Sequence, residues 1–271
     1  NSSGTFGTPK NIGKLNGNRI ASDGNGNVYE MGPFTNSITI GTYTTLTTST
    51  PNIFITKRDL NGTFLWAKKI TNANNIGIYP SNLIIDASGN IYASGAMSSG
   101  SGSLSIGTST ITIPYNGTPS AFVVKFSSSG IPAWGTSLGS SNSVAPIESG
   151  MVVDGSSNLY LTSLFTNSLA INSTTLTLTG INNKGTCLSK LNVNGSFVYS
   201  KVIAKSQNDY MHIAELTASN LFVTGTFSNS ISVETTTLNS AGNYDMAVAK
   251  LDLNGNPIWS KKYGGTATDA L

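Results

Sequence analysis

DLNGNPIW, residues 252–259, has three earlier counterparts in this 271-residue chain: DLNGTFLW at 59–66, SSSGIPAW at 127–134 and NVNGSFVY at 192–199. Each sets a small polar turn ending in glycine between an apolar run and an aromatic residue, the pattern of two strands joined by a tight hairpin. The strand before the turn carries Lys57, Lys125, Lys190 or Lys250, and the strand after it carries Trp66, Trp134, Tyr199 or Trp259. The lysines step by 68, 65 and 60 residues, and the aromatics step identically. Self-similarity at such a period governs the fold before any single motif is weighed.

Further landmarks recur in the same order. An apolar strand enters a turn and leaves on an aromatic in IASDGNGNVY (Asp23, Asn27), LIIDASGNIY (Asp86, Asn90) and MVVDGSSNLY (Asp154, Asn158). The fourth copy, AELTASNLF, keeps Asn220 but sets Leu216 in the aspartate's place. Five residues after each asparagine stands Gly32, Gly95, Ser163 or Gly225. A serine then opens a Thr-rich return with alternating apolar residues: SITIGTYTTL from Ser37, SLSIGTSTIT from Ser103, SLAINSTTLT from Ser168 and SISVETTTLN from Ser230. The spacing follows period 2, and no window of helical length shows a 3.6-residue period. Each repeat therefore reads as four strands plus a Thr-rich hairpin in one antiparallel meander. Asn61-Gly62, Asn194-Gly195 and Asn254-Gly255 supply residues that tolerate positive φ.

A unit this small cannot bury both faces alone, so neighbours must cover one another. Tandem four-stranded antiparallel units predict an all-β fold, a β-propeller built from four tandem repeats of about 60–68 residues. The fourth-strand aromatic is expected between adjacent units. The chain reads as a single repeat region over 1–271, with a partial repeat at 1–13, repeats at 14–76, 77–143, 144–206 and 207–265, and the start of another at 266–271. Residues 1–20 align with 252–271, Ser3-Gly4 on Asn254-Gly255 and Ile12-Gly13 on Tyr263-Gly264. The two ends are duplicates rather than complements, which predicts a segment of a longer repeat array.

Composition narrows the function classes. Fifteen basic and 12 acidic residues give a net charge of +3 with no basic run, which argues against nucleic acid as a partner. No apolar stretch reaches bilayer length, so no membrane span is expected in this segment. Cys187 is the single cysteine and cannot form an internal disulfide; in TCLSKL it reads as a small buried hydrophobe. Only 10% of residues are charged while Ser, Thr, Asn and Gly abound, which points to an extracellular or bacterial cell-surface location.

The candidate sites have structural readings. DGNGN at 23–27 spaces oxygen ligands like a calcium loop but lacks the closing bidentate Glu, so Asp23 is predicted to cap its own hairpin turn. His212 is the single histidine, which leaves no multi-histidine metal site, and no GxSxG elbow accompanies it. Asp59 and Asp252 read as turn residues, whereas Glu30, Glu148 and Glu215 fall at non-equivalent repeat positions and are the acids a glycosidase-like pair would draw on. The four repeated lysines either line a common channel as a basic ring or lay their stems beside aromatic rings. Asn61, Asn116, Asn172 and Asn194 open glycosylation-type sequons of the kind this composition yields by chance. No catalytic, cofactor-binding or metal-ligating residues are predicted.

DGNGNVY, GPF, FITKRDLNGTFLW and AVAKLDLNGNPIWSKKYGG together resemble the bacterial SBBP-type β-propeller repeats over nearly the whole chain. Ser163 for Gly, Tyr199 for Trp and the missing fourth aspartate depart from that pattern. The resemblance implies secreted or surface proteins, including large type IX-exported adhesins of gliding bacteria, and implies no catalytic residues. The expected role is a non-catalytic structural or adhesive region in a filament or large assembly, with other copies or regions of the parent protein, surface proteins or glycans as partners. A carbohydrate-binding or carbohydrate-active propeller and a protein-interaction module are the alternatives.

Overall fold

The computed structural model describes residues 19–72, 77–97, 103–106, 109–113, 120–140, 147–179, 183–207 and 209–269. Among these residues every regular element is a strand, and the strands fall into four sets of six. The first set is Arg19–Ser22 (β1), Val28–Phe34 (β2), Ser37–Ile40 (β3), Thr44–Thr47 (β4), Asn52–Arg58 (β5) and Phe64–Asn72 (β6). The second is Ile78–Ile85 (β7), Ile91–Met97 (β8), Ser103–Ile106 (β9), Ser109–Thr112 (β10), Ser120–Phe126 (β11) and Pro132–Ser140 (β12). The third is Ile147–Val153 (β13), Leu159–Thr166 (β14), Ser168–Ile171 (β15), Thr174–Thr177 (β16), Lys184–Leu191 (β17) and Phe197–Ser206 (β18). The fourth is His212–Leu216 (β19), Asn220–Phe227 (β20), Ser230–Val233 (β21), Thr236–Asn239 (β22), Asp245–Asp252 (β23) and Pro257–Tyr263 (β24). The partial repeat expected at 1–13 lies outside the described residues.

The Thr-rich hairpins do not join the meander of their own set. Sheet order runs β1-β2-β5-β6-β9-β10, β7-β8-β11-β12-β15-β16 and β13-β14-β17-β18-β21-β22, so each fourth strand receives the hairpin of the set that follows. Ile70, Thr71 and Asn72 pair with Ile106, Ser105 and Leu104, and Ala204, Lys205 and Ser206 pair with Val233, Ser232 and Ile231. This corrects the expectation that each hairpin belongs to the meander of its own unit, and the cause is the edge. A fourth strand left outermost presents unpaired N–H and C=O groups, which another strand covers. The hairpins are also less exposed than their threonines suggest, because Ile38, Ile40, Leu169, Ile171, Ile231 and Val233 are buried.

The glycine turns differ in type from the Asn-Gly expectation. Gly62, Gly195 and Gly255 have φ of 79°, 80° and 72°, while Asn61, Asn194 and Asn254 are not in the left-handed region. Gly62 N–H donates to the Asp59 carbonyl and Asp59 N–H to the Thr63 carbonyl, both at 2.9 Å. This is a type I turn with Asp first and a left-handed glycine fourth, and the register then shifts so that Phe64 pairs with Arg58 and Trp66 with Lys57, leaving Leu65 as the extra residue on β6.

First strands of successive sets pack side by side, β1 on β7, β7 on β13 and β13 on β19; among the described residues no comparable packing joins β19 to β1. The core lies between sheets: Tyr29, Met31, Ile53 and Ile55 meet Ile91, Ala93, Phe122 and Val124. Tyr92, Ala121 and Val123 meet Met151, Leu159 and Leu161, and Tyr160 and Leu188 meet Ile213, Leu221 and Val223. Cys187 on β17 is fully buried, and burial pushes its thiol up to about 12, in keeping with a packing residue.

Gly95 explains one landmark. A Cβ there would lie 2.4 Å from the Tyr79 carbonyl oxygen, and at Gly225 2.3 Å from that of Tyr210. Gly95→Ala should therefore lower stability by about 1–3 kcal/mol, read as a drop in melting temperature, whereas Gly155→Ala, with open space around it, should leave the transition within error.

Candidate functional site

The repeated lysine stands in register with two aromatics. Tyr29, Lys57 and Trp66 are cross-strand neighbours on β2, β5 and β6, and the same row recurs as Tyr92-Lys125-Trp134, Tyr160-Lys190-Tyr199 and Phe222-Lys250-Trp259. Each ammonium lies over the second-strand ring, at 5.0 Å for Tyr29, Tyr92 and Tyr160 and 5.8 Å for Phe222. Trp66, Trp134 and Trp259 meet the same rings edge-on at 6.2, 6.1 and 6.3 Å. Lys57 and Lys125 are buried, so the lysines serve as covers for aromatic rings and not as a basic ring around a channel.

The row reaches across to the next unit. Trp66 Nε1 donates to the Ser128 carbonyl at 3.3 Å, Trp134 Nε1 to the Val193 carbonyl at 2.8 Å, and Tyr199 Oη to the Leu253 carbonyl at 3.1 Å. The acceptor is always the second residue of the next glycine turn. Lys57 Nζ shares the Ser128 carbonyl, also at 3.3 Å. Tyrosine replaces tryptophan at 199 without loss because either side chain ends in a donor. The glycine of the receiving turn gives the ring clearance: a Cβ at Gly195 would lie 2.5 Å from Trp134, and one at Gly130 3.2 Å from Trp66.

The aspartate turns support this row from the other end. Asp86 Oδ1 accepts from the Ser88 and Asn90 N–H groups at 3.0 and 2.8 Å, and Oδ2 from Asn90 Nδ2 at 2.8 Å, Tyr92 Oη at 3.2 Å and Ser157 Oγ at 3.1 Å. Asp23 and Asp154 repeat the pattern with Asn27 and Tyr29, and with Asn158 and Tyr160. Burial pushes these carboxyls up, but the asparagine side-chain and backbone donors outweigh it and hold all three below the usual carboxylate range. Burial first, and the adjoining carboxylate next, drives the Tyr29 and Tyr92 phenols far above their ordinary value. The calcium-like stretch at Asp23 thus has both carboxylate oxygens committed to its own turn.

The fourth unit corrects the alignment at Leu216. Leu216 pairs with Leu221, the register of Ile85 with Ile91, so Leu216 is the last residue of its strand. Thr217 takes the aspartate's place in a turn one residue shorter, its N–H donating to the Asn220 carbonyl at 2.8 Å and its Oγ1 accepting from Asn220 N–H at 3.1 Å. The aromatic there is Phe222, which has no hydroxyl, so no second acceptor oxygen is required.

The remaining candidates are scattered. Glu30 is ion-paired with Arg58 and half-buried, Glu148 stands on β13 opposite Ser163, and Glu215 is exposed on β19. Burial raises the Glu30 carboxyl, and Arg58 draws it part of the way back. His212 is exposed at the start of β19. Asp59 and Asp252 cap their turns, Asp59 Oδ1 accepting from Asn61 and Thr63 N–H at 2.9 and 2.8 Å. Among the described residues no three His, Cys, Asp or Glu side chains gather as a metal group. Asn116 lies outside them. Sequence reading missed Asn36, Asn167 and Asn229, whose φ values of 65°, 60° and 57° turn the second strand into the hairpin in the first, third and fourth units. The signal was the Asn-Ser dipeptide that opens three of the Thr-rich segments.

No protein-family model matches the chain, and no curated protein does. Among solved structures, it is similar to the crystal structure of a protein of unknown function from Bacteroides caccae, at 9% identity and a TM-score of 0.39 over 93% of this chain and 85% of that one. A likeness at that level carries no argument about fold or role.

Two outcomes test the seam. Trp134→Phe keeps the ring but strands the Val193 carbonyl, and should cost about 1 kcal/mol; Trp134→Ala should cost about 3–5 kcal/mol, both read by chemical denaturation. Asp86→Asn should cost about 1–3 kcal/mol at neutral pH. Because the folded Asp86 pKa is depressed, its stabilisation is complete above the unfolded value of about 3.9 and is lost as pH falls through the folded value. Melting temperature should therefore fall on acidification from about pH 5 to about pH 2, with a shallower slope in Asp86→Asn.

Proposed function

We propose that the chain is a non-catalytic, propeller-type repeat region, related to the SBBP-type repeats, of a bacterial cell-surface or secreted protein, and that it serves as a structural or adhesive element of a filament or large assembly. The observation that carries this reading is the seam. Three successive contacts use the same donor row, the same backbone acceptor and the same hairpin hand-over. Chemistry spent on joining one unit to the next is what an extensible scaffold requires, and units that contact only their neighbours allow length to grow without redesign. The loops and threonine faces remain as the variable surface for surface proteins, glycans or other parts of the parent protein.

A sugar-processing role needs acids from different repeats to converge. Glu30 is instead neutralised by Arg58, and Glu215 stands exposed on β19. Electron micrographs of the native protein from its source should show fibres with substructure at the spacing of successive units. Isolated closed rings with an open channel would count against the architectural role, and a glycan array would then be the next measurement.

A further inference from the structure

Three of the four glycine turns set an exposed asparagine directly before the glycine, at Asn61-Gly62, Asn194-Gly195 and Asn254-Gly255. The last two face a preceding unit among the described residues. An Asn-Gly step is chemically labile because glycine has no Cβ to keep its nitrogen from the asparagine side chain. Once base has taken the proton of the glycine N–H, that nitrogen attacks Cγ of the asparagine. The bond from Cγ to Nδ2 breaks, and ammonia leaves after taking a proton from water. Water then opens the cyclic imide at one carbonyl or the other, giving aspartate or an isoaspartyl link.

The turn opposes this reaction, and the seam reinforces the turn. Gly195 N–H donates to the Asn192 carbonyl and Gly255 N–H to the Asp252 carbonyl, both at 2.9 Å, so the proton that must leave is already committed. The asparagine N–H groups are held as well, by Asn192 Oδ1 at 3.0 Å and Asp252 Oδ1 at 2.9 Å. Trp134 then grips both neighbours of Asn194. Its Nε1 donates to the Val193 carbonyl at 2.8 Å, and its ring lies against Gly195, where a Cβ would approach to 2.5 Å. Asn254 is held alike: Tyr199 Oη donates to the Leu253 carbonyl at 3.1 Å, and the Lys201 stem covers Gly255, where a Cβ would stand 2.7 Å from Cε. Neither asparagine can swing its Cγ onto the glycine nitrogen while both neighbours are fixed. Reaction therefore waits for local opening.

We propose that Asn194 and Asn254 are sites of spontaneous deamidation gated by the seam, each converting only while its turn is detached from the preceding unit. An isoaspartyl link routes the main chain through the side chain and lengthens it by one carbon. The Val193 or Leu253 carbonyl then no longer meets its donor, so a contact that has opened and reacted closes less firmly. Each turn becomes a one-way record of opening at its own joint. The inference needs only the two internal seams and does not depend on the role proposed above.

Peptide mapping by mass spectrometry of the full chain, held at mildly alkaline pH folded and in denaturant, is the test. Both sites should react about tenfold or more slowly in the folded chain. Trp134→Phe keeps the ring and removes the donor, and should speed Asn194 about fivefold, the effect of one neutral hydrogen bond on the opening equilibrium, with Asn254 unchanged. Tyr199→Phe should speed Asn254 and leave Asn194 unchanged. Gly95→Ala lowers stability away from both turns and should speed neither, which separates seam opening from unfolding of the whole chain. Protein aged until Asn194 carries isoaspartate should melt below fresh protein. Equal folded and denatured rates, a Trp134→Phe variant that leaves Asn194 unchanged or speeds both sites alike, a Gly95→Ala variant that speeds Asn194 as much, or aged protein that melts like fresh protein overturns the proposal.

Discussion

Every internal sheet in this protein has two apolar faces, and neither can be left to water. The strand β11 shows the constraint in its strictest form, with seven consecutive residues buried, Lys125 among them. Covering one face with the preceding unit and the other with the following one satisfies both, and it fixes the order of the units. Full burial of a Tyr, Ile or Phe contributes about 1.5–3 kcal/mol, while one neutral hydrogen bond contributes about 1 kcal/mol net. Each seam buries at least six large apolar side chains, and its cross-unit hydrogen bonds, the hairpin ladder among them, each contribute less than one such burial. Burial therefore supplies the larger share per contact. The tryptophan and tyrosine donors contribute direction, because two flat apolar faces slide over one another unless a polar contact fixes their register.

Much of this was legible in the chain. Alternation at period 2 identified the strands, and recurrence of Lys, the glycine turn and the aromatic set them in rows. A residue pattern reports which face a side chain occupies and is silent about which strand lies alongside. For that reason the hairpin hand-over was not visible: Ile70 pairs with Ile106, 36 residues away and beyond the two intervening strands β7 and β8. The shift at Thr217 escaped for a different reason. Matching the Asp-to-Asn spacing aligns Leu216 with the aspartates, but the backbone shortened the turn by one residue and gave the acceptor role to a hydroxyl. A spacing rule cannot detect a deletion that the turn chemistry compensates.

The aspartate and the tyrosine are lost together, and electrostatics accounts for the pairing. In three units the carboxylate's first oxygen closes the turn and its second accepts from the phenol, so each makes the other's burial tolerable. A buried phenol without an acceptor, or a carboxylate oxygen without its donor, carries a desolvation cost of about 1–3 kcal/mol. Removing both together avoids that cost. Phe222 with Thr217 is the apolar form of the same corner, and the ring still supports Lys250 at 5.8 Å.

The choice of a main-chain acceptor explains the tolerance of the seam to sequence change. Ser128, Val193 and Leu253 have nothing in common as side chains, yet each offers the same carbonyl at the same point of a turn whose glycine sets the backbone path. The constraint therefore falls on the glycine and on a donor-bearing aromatic, and leaves the residue between free to vary. A repeat held in register in this way can diverge at the turn while keeping its geometry, because the acceptor that fixes one unit against the next belongs to the backbone.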